Sequence, residues 1–158
     1  MQTVYQKAYA HLANVTPIPA DCGILCSSRC CKGDNNQGMI LFPGEAEFLG
    51  ISAQKRTMGD TEVDFFVCDG TCNRARRPLS CRIFPFAPYL KDGELSVIPD
   101  PRARFLCPLL EEEALPFVQK EFITAIKTAF TLLCEDASIR GMLIQYSAML
   151  DEYKRFTK

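Results

Sequence analysis

Nine cysteines and a single histidine, His11, dominate what this chain could do chemically. Thiolates are soft ligands for zinc and for iron–sulfur centres, so a metal held here is held mainly by sulfur. The first cluster reads Cys22-Gly-Ile-Leu-Cys26-Ser-Ser-Arg-Cys30-Cys31. If that segment is helical, its spacing puts Cys22, Cys26 and Cys30 one turn apart, where their sulfurs could meet at one site. Neighbours Cys30 and Cys31 face different ways in most backbone conformations, so at most one of them joins that site easily. The second cluster is Cys68-Asp-Gly-Thr-Cys72, with Cys81 nine residues further on. Asp69-Gly70 is a turn signal that can fold the loop so that the flanking thiols converge. This is the logic of a zinc knuckle, with a gap of three residues where zinc ribbons use two. Cys107, followed by Pro108, is the eighth candidate ligand.

Arg29, Lys32, Arg74, Arg76, Arg77, Arg82, Arg102 and Arg104 crowd these thiols in the sequence. Nearby cations stabilise an anionic metal–thiolate centre and lower thiol pKa values. Exposed arginine is the default for any one of these residues. The clustering singles out Arg77 and Arg82 as partners of the ligands. Cys134 stands alone on an apolar stripe and reads as a packed thiol outside the site.

The run from Cys22 to Cys31, then Cys68 and Cys72, then Arg77-Pro78-Leu-Ser-Cys81-Arg82-Ile-Phe84-Pro85, resembles the CxxCxxCC zinc- or iron-chelating domain family (YkgJ-like). The RPxxCRxFP segment is that family's most specific motif and is intact here. The resemblance covers roughly Cys22 to Pro108. It implies that Cys22, Cys26, Cys30, Cys31, Cys68, Cys72 and Cys81 are metal ligands or their immediate neighbours. The first cluster departs from the family, with gaps of three residues where the family has two. Proteins resembling flagellin lysine N-methylases carry a similar cysteine pattern, which brings methyl transfer into view as a second chemistry.

The elements that must position these residues divide the chain of 158 residues into three sections of one domain, 1–19, 20–108 and 109–158. The first reads as a helix with Val4, Ala8, Leu12 and Val15 along one side, stopped by Pro17 and Pro19. The middle section holds eight cysteines among loops and short strands. Met39 to Phe42 is a strand, Pro43-Gly44-Glu45 starts a helix that ends near Gly50, and Glu62 to Cys68 alternates as a second strand. Phe86 to Leu90 and Glu94 to Ile98 flank Asp92-Gly93, a strong hairpin signal. In the last section Leu115, Val118, Phe122, Ile126, Ala129 and Leu133 form one helical stripe. Ile139, Met142, Leu143, Tyr146, Met149, Leu150 and Tyr153 form another, with Asp136 or Ser138 capping between them. The expected fold is α+β, with cysteine-rich loops and a small antiparallel sheet packed on a C-terminal antiparallel helical pair.

The hydrophobic fraction of 47% and charged fraction of 23% are those of a globular protein. Net charge is −1 and the pI is near 5.9, so no broad positive field recruits nucleic acid or anionic membrane. Met1 to Val15 lacks the apolar stretch of a signal peptide, and no apolar run is long enough for a bilayer. These features predict a cytoplasmic protein in a reducing compartment, where the odd cysteine count also disfavours a full disulfide set. His11 reads as an ordinary surface or core residue. There is no Gly-x-Ser-x-Gly elbow, no His-Glu-x-x-His, no Walker loop and no G-x-G-x-x-G. Glu111-Glu112-Glu113 reads as negative charge at a helix start. The leading expectation is a thiolate metal-binding protein with zinc, since the ferredoxin spacings are absent. Its alternatives are an iron–sulfur redox or methyl-transfer enzyme, and a zinc module that meets a protein or nucleic acid through Asn73-Arg74-Ala75-Arg76-Arg77.

Overall fold

A computed structural model of the protein describes residues 1–20, 38–68 and 73–156. Its elements run α1 (Val4–Leu12), β1 (Gly38–Leu41), α2 (Glu45–Leu49), β2 (Gln54–Met58), β3 (Thr61–Val67), α3 (Leu79–Ile83), β4 (Phe86–Lys91), β5 (Glu94–Pro99), α4 (Lys120–Leu133) and α5 (Ala137–Phe156). The fold is α+β, as the sequence predicts. One antiparallel sheet has the order β1-β3-β2, and β4-β5 form a separate hairpin.

Helix α1 starts with a capping box. Thr3 accepts from the Gln6 backbone N–H at 3.1 Å, and the Thr3 N–H donates to the Gln6 side chain at 2.7 Å. The helix ends at Leu12, well before the prolines, and its buried face is Tyr5, Ala8, Tyr9 and Leu12. Ala8 and Leu12 belong to the expected stripe. Two tyrosines complete it, because each has a ring to bury and a hydroxyl that finds an acceptor. Beyond α1 the chain is tied to the start of α4, where Gln119 donates from its backbone to Pro17 and from its side chain to Thr16.

Strands β1 and β3 pair in the register Gly38↔Val67 to Leu41↔Asp64. A Cβ on Gly38 would lie 2.0 Å from the Phe66 carbonyl oxygen, so the close approach of these strands requires glycine there. Strand β2 pairs with β3 through the Gly59-Asp60 turn. It is absent from the sequence reading because it is an edge strand with one fully buried residue, Met58, and so no apolar alternation. The β4–β5 hairpin turns at Asp92-Gly93, both with positive φ, as the two-residue Asp-Gly signal implies.

Helix α4 starts at Lys120, five residues after the stripe begins. Leu115–Phe117 is a separate 3-10 turn, and extended backbone at Val118 breaks it from the helix. Leu115 and Phe117 are exposed, whereas Phe122, Ile126, Ala129 and Leu133 are buried as predicted, with Phe130 beside them. Asp136 caps α5 by accepting from the backbone of Ser138 and Ile139 at 2.9 and 3.0 Å. Of the α5 stripe, Ile139, Met142, Leu143, Tyr146 and Leu150 are buried, Met149 is half-buried and Tyr153 is exposed.

One hydrophobic core draws on nearly every element. Helix α4 lies mainly against α1 and the hairpin, and α5 against β4. Phe42, just past β1, is fully buried with ring centroids 5.3 Å from Phe130 and 5.8 Å from Tyr146, so it joins the sheet to both C-terminal helices. Ser147 docks α5 on the hairpin by accepting from the buried Leu90 N–H at 2.8 Å. Among the described residues no buried side-chain nitrogen or oxygen lacks a partner, and no helix is long and apolar enough to cross a membrane.

Candidate metal centre

Five of the eight candidate ligands, Cys22, Cys26, Cys30, Cys31 and Cys72, lie outside the described residues, as do Arg29 and Lys32. Three are described, and all are half-buried. Cys68 directly follows β3. Because β1 begins opposite the end of β3, Cys68 stands at the end of the sheet where the chain enters β1 from the first cluster. Cys81 sits in the middle of α3, the short helix of the RPxxCRxFP segment. Cys107 precedes the 3-10 turn Pro108–Leu110, and its backbone N–H donates to Ala103 at 2.9 Å. Among the described residues, no three His, Cys, Asp or Glu side chains come together as a metal-holding group. Cys68, Cys81 and Cys107 therefore do not make a site by themselves.

Helix α3 is anchored on three sides. The buried Ser80 hydroxyl donates to the Ile40 carbonyl at 2.9 Å, fastening α3 to β1. The Leu79 N–H donates to Glu45 Oε1 at 2.7 Å. Arg82 turns back on the preceding loop, donating from Nε to the Arg77 carbonyl at 2.8 Å and from Nη2 to the Arg74 carbonyl at 2.7 Å. Its guanidinium also stacks over the Tyr9 ring, 4.7 Å from the centroid. Burial lowers the Arg82 pKa, and the positive charges of Arg74 and Arg77 add to that effect. Within the motif, then, Arg82 holds the loop in which Arg77 stands, and the Phe84–Pro85 peptide that closes it is cis.

The other described basic residues divide by their partners. Arg76 donates to the Gly50 carbonyl at the end of α2, at 2.7 Å. Arg102 pairs with the buried Asp100 at 2.6 Å. Arg104 lies over the exposed ring of Phe105. His11 is exposed in the last turn of α1. Cys134 ends α4 beside a cavity of about 620 Å³ that is also lined by Leu90, Leu95 and Ile144, and burial pushes its thiol pKa up. Glu111 to Glu113 are exposed and precede the Leu115–Phe117 turn rather than opening α4.

Sequence reasoning missed the residue that organises this region. Glu45 is fully buried, and its carboxylate accepts from the Tyr9 hydroxyl at 2.6 Å, the Leu79 N–H at 2.7 Å and the Phe42 N–H at 2.9 Å. Burial raises its pKa above the ordinary glutamate range, and these hydrogen bonds only partly offset that. A signal existed in the sequence. Glu45 and Leu49 are four residues apart, so a helix that buries Leu49 turns Glu45 inward as well.

Cys68, Cys81 and Cys107 are half-buried donors of the soft kind that zinc and iron–sulfur centres take. No protein-family model, no curated protein and no solved structure matches the chain.

Proposed function

We propose that this chain is a cysteine-thiolate metal-binding protein of the CxxCxxCC type, with zinc as its metal. The observation that carries this reading is the treatment of Cys81. A five-residue helix holds that thiol half-exposed, and the helix is fastened through Leu79, Ser80 and Arg82 to three separate parts of the fold. A thiol that merely filled space would need no such fixing, whereas a metal ligand does. The proposed ligands are drawn from Cys22, Cys26, Cys30, Cys31, Cys68, Cys72, Cys81 and Cys107, with Arg77 and Arg82 as compensating cations.

Four thiolates on one zinc close its coordination sphere, which makes the metal structural, stored or sensed. A reducing, cytoplasmic setting would keep the thiols available as ligands. A protein partner fits this reading better than a nucleic acid, because Arg76 of the basic run, and Arg82 beyond it, are turned onto backbone carbonyls. The test is the metal content and visible absorption of protein purified without oxygen. Zinc with a colourless spectrum supports the proposal. Iron, sulfide and a brown charge-transfer band would replace it with the iron–sulfur reading, and redox or methyl-transfer chemistry would then lead. Metal-free protein with reactive thiols would overturn both.

A further inference from the structure

We propose that the groove between α1 and the 3-10 turn Arg74–Arg76 is a docking site for an acidic segment of a partner protein, one that places a carboxylate beside an apolar side chain. The inference rests on the protein-partner part of the reading above, and within it on described residues alone. No thiol and no metal enters it.

The groove has a volume of about 440 Å³. Tyr9 and Phe48 line it with aromatic rings, alanines of α1 and of the turn keep it open, and Arg74 and Arg82 supply its charge. Phe48 is 38% exposed, an apolar ring at the surface, and Ala10, Arg74 and Ala75 are exposed as well. The lining is fixed before any ligand arrives. Phe48 packs on Tyr5 and Tyr9 at centroid distances of 5.5 and 5.1 Å. Asn73 caps the turn by accepting from the Ala75 N–H at 3.0 Å, and Arg76 ties it to the end of α2 through the Gly50 carbonyl. Arg82 holds the Arg74 carbonyl. A surface already ordered in this way loses little freedom when it binds.

Charge decides the occupant. Among the described residues no acidic side chain lines the groove, and neither Arg74 nor Arg82 forms an ion pair. Glu45 attracts Arg82, but it is fully buried and already accepts three hydrogen bonds. Arg74 and Arg77 repel Arg82, and a carboxylate bound in the groove offsets that repulsion. The hydrogen bonds of Arg82 to described residues use Nε and Nη2, which leaves Nη1 for such an acceptor. Tyrosine, phenylalanine and arginine, without lysine, aspartate or glutamate, are the residues enriched at the core of protein–protein interfaces. A nucleic acid needs a longer cationic track than two guanidiniums, and Arg76 is already turned onto Gly50.

The test uses the whole chain and three fluorescein-labelled peptides of equal length, each with one phenylalanine flanked by glutamates, glutamines or lysines. A single-stranded oligodeoxythymidine is the fourth probe. Binding is read by fluorescence anisotropy in wild type, Arg74→Ala, Ala75→Glu and, as a control for charge alone, Arg155→Ala at an exposed position of α5. The glutamate peptide is expected to bind best, and Arg74→Ala to weaken it by about 5–30-fold, as removal of an interface anchor does. Ala75→Glu puts a carboxylate on the lining and should weaken it at least as much, while Arg155→Ala leaves it unchanged. Equal binding of the glutamine peptide, no binding of the glutamate peptide, or equal losses in Arg74→Ala and Arg155→Ala would overturn the inference. So would an oligonucleotide that binds more tightly than the glutamate peptide and is lost in Arg74→Ala, which would make this face a nucleic-acid site. Zinc content is measured on every sample. Metal-free protein that still binds the glutamate peptide sinks the thiolate reading and supports this inference; zinc-loaded protein that ignores the peptide does the reverse.

Discussion

Arg102 donates a hydrogen bond to the phenolic oxygen of Tyr146 while its Nε and Nη2 engage both oxygens of Asp100. The guanidinium thereby pins the turn after the β4–β5 hairpin to the centre of α5, with Asp100 and Tyr146 almost fully buried. Arg102 belongs to the basic residues that the sequence places near the thiols, but its described partners are an acid and a phenol.

This arrangement sets a pH dependence. Burial pushes the Tyr146 pKa from its ordinary 10 up to about 12, with the Arg102 charge only partly opposing that. The folded state keeps a proton that the unfolded chain loses first, so unfolding becomes easier as pH rises between those values. The stabilisation from this phenol is complete below pH 10 and lost on passing about 12, a change of about 3 kcal/mol for two units. Tyr5 and Tyr9 are also shifted upward by burial, so the measurement is a difference. Urea unfolding of wild type and Tyr146→Phe across the alkaline range should show a steeper decline in wild type. Parallel slopes would refute the assignment.

Phe42→Ala is the expected weakest point of the core. The ring is fully buried and packs against both Phe130 and Tyr146. Truncating a fully buried phenylalanine costs about 3–5 kcal/mol, a large share of a small domain's stability. Equilibrium denaturation gives the value directly. A loss below ~1 kcal/mol would mean that the two C-terminal helices repack over the gap.

Cys81→Ser should lower both metal content and melting temperature, because metal binding is coupled to folding. Cys134→Ser should leave the metal unchanged, as that thiol lies at the end of α4 beside an apolar cavity. Elemental analysis and thermal melts of the two proteins side by side check this. Full metal and unchanged melting in Cys81→Ser would remove that residue from the ligand set.

Gly38→Ala should disturb the pairing of β1 with β3. The added methyl would meet the Phe66 carbonyl oxygen at 2.0 Å and the Phe65 ring at 2.8 Å, and a backbone oxygen cannot move aside as a flexible side chain can. Faster amide exchange at Phe66 and Val67 than at the β4–β5 hairpin is the expected signature. Equal protection in both places would show that the strands accommodate the methyl group.

Much of the architecture was legible in the residues alone, because it depends on local chemistry. Asp92-Gly93 specifies its turn through backbone angles that few residues adopt, and the α4 and α5 stripes repeat every three or four residues because one face is buried. Gly50 ends α2 as expected, and Asp136 caps α5. Where the sequence misled, tertiary contacts overrode the pattern. Leu115 continues the stripe but stays exposed in a 3-10 turn, and β2 pairs as an edge strand without an apolar face.

The same division applies to the candidate site. Types and spacing of the cysteines, with Arg77, Arg82 and their prolines, are what the proposal of thiolate chemistry rests on, since ligand softness is a property of the side chain itself. Only the tertiary structure decided what holds Cys81 in place. Glu45 and Leu79 are 34 residues apart, and Tyr9 and Glu45 are 36 apart. No local rule joins them; they meet because α1, α2 and α3 pack on one core, where a buried carboxylate must find donors wherever the fold brings them.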